Sequence, residues 1–139
     1  MFRKRKIPVL LLKNKGLVKT IKFNKKNTKY IGDPINAVRI FNDFKADELV
    51  FLDIEASLNN TTISYDLVKD IADEAFMPFA VGGGINNISQ VEKILKLGAE
   101  RVIINTNSIV NDKFIAELVK EFGSSTIIVS VDIKKNFFG

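Results

Sequence analysis

Apolar residues fall along this chain in two textures. Five short runs, Ile7–Leu12, Glu48–Asp53, Met77–Val81, Arg101–Asn105 and Thr126–Asp132, are dominated by β-branched and other apolar side chains. Runs of that length and composition read as buried strands. The stretches between them are amphipathic. In Pro34–Phe44 the residues Ile35, Val38, Ile40 and Phe41 form the apolar component, and Thr62–Ala75, Ser89–Leu97 and Asp112–Phe122 are patterned in the same way. These read as helices, with Asp33-Pro34 and Ser89 as start signals.

Strand and helix therefore alternate. The strands begin near residues 7, 48, 77, 101 and 126, so beyond a first unit that carries an extra loop the repeat is 24 to 29 residues. Strict βα alternation at that spacing means parallel strands joined by crossover helices. An open doubly wound sheet and a closed eightfold barrel both satisfy it. No G-x-G-x-x-G opens the first crossover, which removes the main sign of a dinucleotide-binding sheet. The strands instead end in small or polar residues, namely Asp53, Gly82-Gly83-Gly84, Asn105-Thr106 and Asp132, and barrels collect function at that end. A complete (β/α)8 barrel takes about 250 residues; this chain supplies four βα units and a fifth strand. The expected fold is an α/β half-barrel of the TIM-barrel type, one domain over residues 1–139, with the remainder of the barrel absent or supplied by another chain. An open parallel sheet of this kind leaves one face and two edges uncovered. The chain stops at Phe137-Phe138-Gly139 with no helix after the fifth strand, so a longer natural protein or a homodimer of half-barrels is expected.

Composition narrows the chemistry. The 139 residues are 46% hydrophobic and 27% charged, ordinary for a single globular domain. The absence of Cys and His removes disulfides, thiolate and imidazole metal ligands, Cys nucleophiles and every His-containing triad. Acid–base work then falls to Asp, Glu, Lys or Tyr, and neither a metal nor a cofactor is expected. The 21 Lys and Arg against 16 Asp and Glu give +5 and a pI near 9.4. That balance suits an anionic small molecule. The basic residues are dispersed, with one dense run at Arg3–Lys6, and no aromatic-basic interleaving points to nucleic acid. Six residues, Ile7 to Leu12, separate that run from Lys13, too few for a signal peptide or a membrane span. A cytoplasmic protein without nucleic-acid or membrane partners is expected.

The triple glycine Gly82-Gly83-Gly84 follows the third strand and precedes a helix, a setting in which backbone N–H groups and the helix dipole approach an oxyanion. Three glycines exceed what a tight turn needs, and phosphate is the expected group. Asn105 and Thr106 offer an amide and a hydroxyl on the same rim. Asp53 and Asp132 end the second and fifth strands and are the candidates for acid–base work, although either carboxylate also suits a loop cap. Lys19, in the first loop, fits a phosphate or carboxylate contact and equally an ordinary surface lysine.

These residues carry a family resemblance. Lys4-Arg5, Gly32-Asp33-Pro34, Asp47 to Ile54, Pro78 to Ile85, Gly98-Ala99, Ile104-Asn105-Thr106 and Phe122-Gly123-Ser124 together resemble the N-terminal half of the cyclase subunit of imidazole glycerol phosphate synthase, a phosphate-binding barrel of histidine biosynthesis. The resemblance spans nearly the whole chain. It implies a barrel that takes ammonia through its lower face from a glutaminase subunit, and two aspartates at the upper face that use it. One aspartate matches Asp132. The other falls in the first strand, where this chain has Leu11, which neither takes nor gives a proton. Ala80, Glu55 and Ile103 are further departures. Phosphate positions match Gly83, Gly84, Asn105 and Thr106; Lys19, Phe23 and Asp53 also match. The charged cluster of the lower face matches Arg5, Glu48 and Arg101, and Glu100 matches a contact to the glutaminase.

Leu10-Leu11-Leu12, Gly16 to Phe23 and Tyr30 to Val38 look like one branch of that family more than like the histidine enzyme. The branch is the cyclase-like paralogues of surface-polysaccharide gene clusters, which act with an amidotransferase to place acetamidino groups on sugars. The resemblance implies an ammonia-accepting subunit acting on a phosphorylated or nucleotide-linked sugar, with Asp132, Asp53 and Lys19 as its working residues. The histidine-pathway cyclase and a non-catalytic half-barrel scaffold are the alternatives.

Overall fold

Alternation along the chain becomes one winding direction in space. A computed structural model describes residues 3–21, 24–105 and 112–132, apart from the Lys25 side chain. The elements are β1 (Val9–Lys13), β2 (Gly16–Ile21), β3 (Asn24–Gly32), α1 (Pro34–Asp43), β4 (Leu49–Asp53), α2 (Tyr65–Glu74), β5 (Phe79–Gly82), α3 (Ile88–Lys96), β6 (Arg101–Asn105), α4 (Asp112–Phe122) and β7 (Ile127–Ser130). They build a single sheet in the order β3-β2-β1-β4-β5-β6-β7. The five expected strands are β1, β4, β5, β6 and β7, all mutually parallel.

That order decides between the two architectures. Successive parallel strands add to the same side of their predecessor, and right-handed crossovers then place every helix on one face. A doubly wound sheet reverses direction at a switch point; among the described strands there is none. Side-chain alternation agrees. Leu12, Leu49, Phe51, Phe79, Val81, Val102 and Ile104 face the helices and form the core with Val38, Leu67, Val68, Ile71, Val91, Ile94 and Leu118. Of the intervening positions, which lie on the other face, Leu11, Val50, Leu52 and Ile128 are only half-buried, whereas Ala80 and Ile103 are buried. This is the singly wound layout of a barrel segment, α/β and of TIM-barrel type as expected.

The extra loop of the first unit is not a loop. β2 folds back antiparallel on β1, pairing Leu11 with Val18 and Leu12 with Leu17, and β3 pairs with β2. Asn14 (φ 50°) and Lys15 (φ 61°) make the turn, both left-handed, which is the geometry that matches the twist of a two-residue hairpin. Leu17 and Val18 anchor the hairpin by burial. Of the two uncovered edges expected, the one at β1 is therefore occupied by the chain itself. The segment escaped recognition because its apolar residues are few and lie among lysines, with no clean period of two.

Local signals set the helix starts. Asp33 accepts a hydrogen bond from Asn36 N at 2.9 Å ahead of Pro34. Helix α3 begins one residue earlier than expected because Asn87, not Ser89, is the cap, accepting from Gln90 N at 2.9 Å. Helix α2 begins at Tyr65 rather than Thr62 because Ser64 caps it and the residues before it are held elsewhere. Among the described residues no helix is long and apolar enough to cross a membrane.

Candidate active site

The carboxyl ends of β4 and β5 lie side by side, with Leu52 paired to Gly82, so Asp53 and Gly83 meet directly. A Cβ on Gly83 (φ 131°) would lie 2.7 Å from the Asp53 Cβ and carbonyl oxygen, and one on Gly84 (φ 65°) would lie 1.8 Å from the Thr61 carbonyl oxygen. Both space and backbone conformation require glycine there. The Gly83 carbonyl accepts from Ile63 N at 3.1 Å and Thr62 Oγ1 at 3.2 Å. The glycine loop is thus clamped to the β4–α2 loop, with Thr62 and Ile63 as its anchors, a role that no sequence motif marked.

Asp53 has a structural duty. Its Oδ1 accepts from Glu55 N and Ala56 N, each at 3.0 Å, and so folds the β4–α2 loop. Next to it Glu55 pairs with Lys13 Nζ at 3.2 Å across the ends of β4 and β1. Lys13 was not among the candidate residues, since one lysine at a strand end carries no signal in the sequence. The row below is entirely apolar: Leu11 pairs with Leu52, Leu52 with Gly82, Gly82 with Ile103, and Ile103 with Ile128. Position 11 therefore brings no proton donor or acceptor to the rim.

Asn105 is exposed at the end of β6 and pairs with Ser130 of β7. Asp132 follows two residues later, exposed and beyond the same strand end. Thr106 and Phe23 lie outside the described residues. Lys19 stands apart from this rim. On β2, which runs down the edge of β1, it lies below the level of Leu11 and directly opposite Lys29 of β3.

The opposite end of the strands holds a charged cluster. Glu48, just before β4, is 1% exposed and is the sole buried polar or charged residue among the described ones. Arg5 Nη2 donates to its Oε2 at 2.6 Å, and Arg101 Nη1 donates to both carboxylate oxygens at 3.1 Å. Burial of one carboxylate is offset by two guanidiniums and three hydrogen bonds. Arg5, Glu48 and Arg101 thus form one unit, although they are far apart in sequence. Glu100 is exposed beside it, its backbone N donating to Phe79 O at 2.9 Å.

The glycine loop, the strand ends and the charged cluster all lie within the stretch of the chain that matches known proteins. The model of the histidine biosynthesis protein family matches residues 5–138. The chain belongs to that family. A Pseudomonas aeruginosa protein provisionally named imidazole glycerol phosphate synthase subunit hisF2 is 49% identical over 139 residues, all of this chain and 55% of the relative. A Vibrio vulnificus protein with the provisional name of subunit hisF3 is 50% identical over 139 residues, again all of this chain and 53% of the relative. The Streptococcus mutans imidazole glycerol phosphate synthase subunit HisF is 40% identical over 135 residues, 97% of this chain and 53% of the relative. This member of the histidine biosynthesis family spans about half the length of the curated relatives it matches.

Proposed function

We propose that the chain is the first half of an ammonia-accepting, cyclase-like barrel that works with a glutaminase or amidotransferase subunit in the cytoplasm. The observation that carries this reading is an asymmetry between the two ends of the strands. Arg5, Glu48 and Arg101 meet below, whereas above them the first strand offers Leu11 in place of a carboxylate. A machinery for passing neutral ammonia is kept while half of the expected acid–base pair is missing.

In this reading Arg5, Glu48, Glu100 and Arg101 form the gate and the partner face. Ammonia arriving between the strands is screened from water, which competes for an activated carbonyl. Backbone N–H groups of Gly83 and Gly84, with Asn105 and Thr106, hold the phosphate of the substrate. Asp132 moves the proton and Asp53 orients the substrate, whereas Lys19, which stands apart from the rim, takes no part at that end of the strands. The product is an acetamidino group on a phosphorylated or nucleotide-linked sugar of a surface polysaccharide: ammonia forms the new C–N bond to the N-acetyl carbonyl carbon, the C–O bond breaks, and the oxygen leaves as water with two of the ammonia protons. The rest of the barrel comes from a longer chain or from a second copy closing the open face.

The family assignment and the Streptococcus mutans relative favour a second reading, the histidine-pathway cyclase itself. Assaying the complete barrel with ammonium salts separates the two. Amidination of an N-acetylated sugar nucleotide, with no turnover of the ribulosyl intermediate unless Leu11→Asp is introduced, is the expected result. Ready turnover of that intermediate by the unmodified protein rejects the first reading. If isothermal titration with phosphorylated sugars gives no heat, both fail.

A further inference from the structure

An ion pair stands over the apolar row at the upper end of the first strand. Leu12 packs against the helices, so Leu11 and Lys13 lie on the opposite face, the one that a closed barrel turns inward. Lys13 is one step above Leu11 on that face, and its Nζ meets Glu55 Oε1 at 3.2 Å, with both residues half-buried. Among the described residues Lys13 is the one cation within ion-pair distance of Glu55.

The loop does not need this carboxylate. The main chain of Glu55 is already fixed, because its N donates to Asp53 Oδ1 at 3.0 Å and its carbonyl accepts from Leu58 N at 3.0 Å and Asn59 N at 3.1 Å. The neighbouring carboxylates at this end are occupied. Asp33 caps α1 and Asp53 accepts from two loop N–H groups, so a proton taken up by either would compete with the hydrogen bonds that fold its own segment. Glu55 and the exposed Asp132 carry no such duty. A partly exposed ion pair adds little stability, which leaves the position of Glu55 at the mouth to be explained by chemistry.

We propose that Glu55 is a catalytic residue of the amidination described above, a second proton carrier beside Asp132, and that Lys13 is its positioning residue; the inference rests on that reading. Addition of ammonia to the N-acetyl carbonyl carbon gives a tetrahedral carbon bearing a positive nitrogen and a negative oxygen. Two protons must then pass from that nitrogen to that oxygen. Each carboxylate takes one from the nitrogen, hands it to the oxygen and ends ionised as it began. The first transfer makes the oxygen a hydroxyl; the second makes it water as the C–O bond breaks and the C=N bond forms. In a closed eightfold barrel the first and fifth parallel strands stand on opposite sides of the mouth. Glu55, held at the end of β1, and Asp132, beyond β7, therefore flank one substrate. Asp53 ties the arrangement together, since it packs on Gly83 and bonds the Glu55 N–H.

Amidination by the complete barrel, followed by mass spectrometry with ammonium chloride as nitrogen source, tests this on three probes: the UDP-linked forms of N-acetylglucosamine, N-acetylgalactosamine and N-acetylmannosamine. Glu55→Gln is expected to lower kcat about a hundredfold, with KM for the sugar nucleotide and Tm little changed, and Glu55→Asp to recover part of the loss. Glu55→Ala is expected to regain turnover with added formate, a free carboxylate that a merely structural role would not use. Lys13→Met is expected to lower kcat less than Glu55→Gln does. An unchanged kcat in Glu55→Gln, a loss confined to KM or Tm, or failure of both Glu55→Asp and formate to restore turnover overturns the role of Glu55 and leaves the amidination reading standing. No amidination of any of the three probes by the unmodified barrel overturns both.

Discussion

Glu48 shows how much a single buried charge depends on its partners. Its side chain is 2% exposed, against 52% for Arg5 and 32% for Arg101. Glu48→Ala leaves two guanidiniums without their shared acceptor, and a loss of about 3 kcal/mol in urea unfolding is expected. Arg5→Ala removes the most exposed member and is expected to cost about 1 kcal/mol or less; equal losses would mean that burial is not what makes the cluster matter. Glycine gives a second contrast. Gly84 and Gly123 have similar backbone angles, φ 65° and 87°, but only at Gly84 does a Cβ meet backbone. Thermal unfolding is expected to show about 1 kcal/mol for Gly123→Ala and more than about 3 kcal/mol for Gly84→Ala. The run of three glycines was legible in the sequence as a special loop. What it packs against, the β4–α2 loop held by Thr62 and Ile63, was not, because that contact joins segments whose spacing carries no motif.

At the scale of elements, hydrophobic periodicity placed four helices and five strands because each buries apolar area against a neighbour. It failed at β2 and β3, where lysines interrupt the pattern, and the turn that folds β2 back on β1 is specified by its own geometry. The Asn14-Lys15 turn has lysine at a position that favours glycine. Lys15→Gly is therefore expected to stabilise the chain by about 0.5 to 1 kcal/mol, measured by urea unfolding; a loss would mean that the left-handed conformation at Lys15 is not strained. Capping is a separate lever. Asn87→Ala is expected to cost about 1 kcal/mol and Ser89→Ala much less, since Asn87 accepts the Gln90 N–H and Ser89 is exposed inside the first turn.

For the whole molecule, the sheet has one face under helices and one bearing half-buried Leu11, Val50, Leu52 and Ile128. Local openings follow burial, so hydrogen exchange is expected to be slowest in β4 and β5, at the centre of the sheet, and faster in β7, the last strand of the sheet among the described residues. Equal protection of β7 would indicate that a second copy covers that edge in solution. The sequence by itself determined the βα rhythm, the parallel strands and the chemistry that is missing, because periodicity and composition are local properties written residue by residue. It also displayed Leu11 where an acid was expected. Only the tertiary structure decided that the sheet winds in one direction, that Arg5, Glu48 and Arg101 meet, that Asp53 folds its own loop, and that Lys19 faces Lys29. Apart from the Asp53 turn, which spans two and three residues, these depend on pairing between segments at least 10 residues apart, 53 for Glu48 and Arg101, and strand order and register are set by packing and turn geometry, not by the pattern within any one segment.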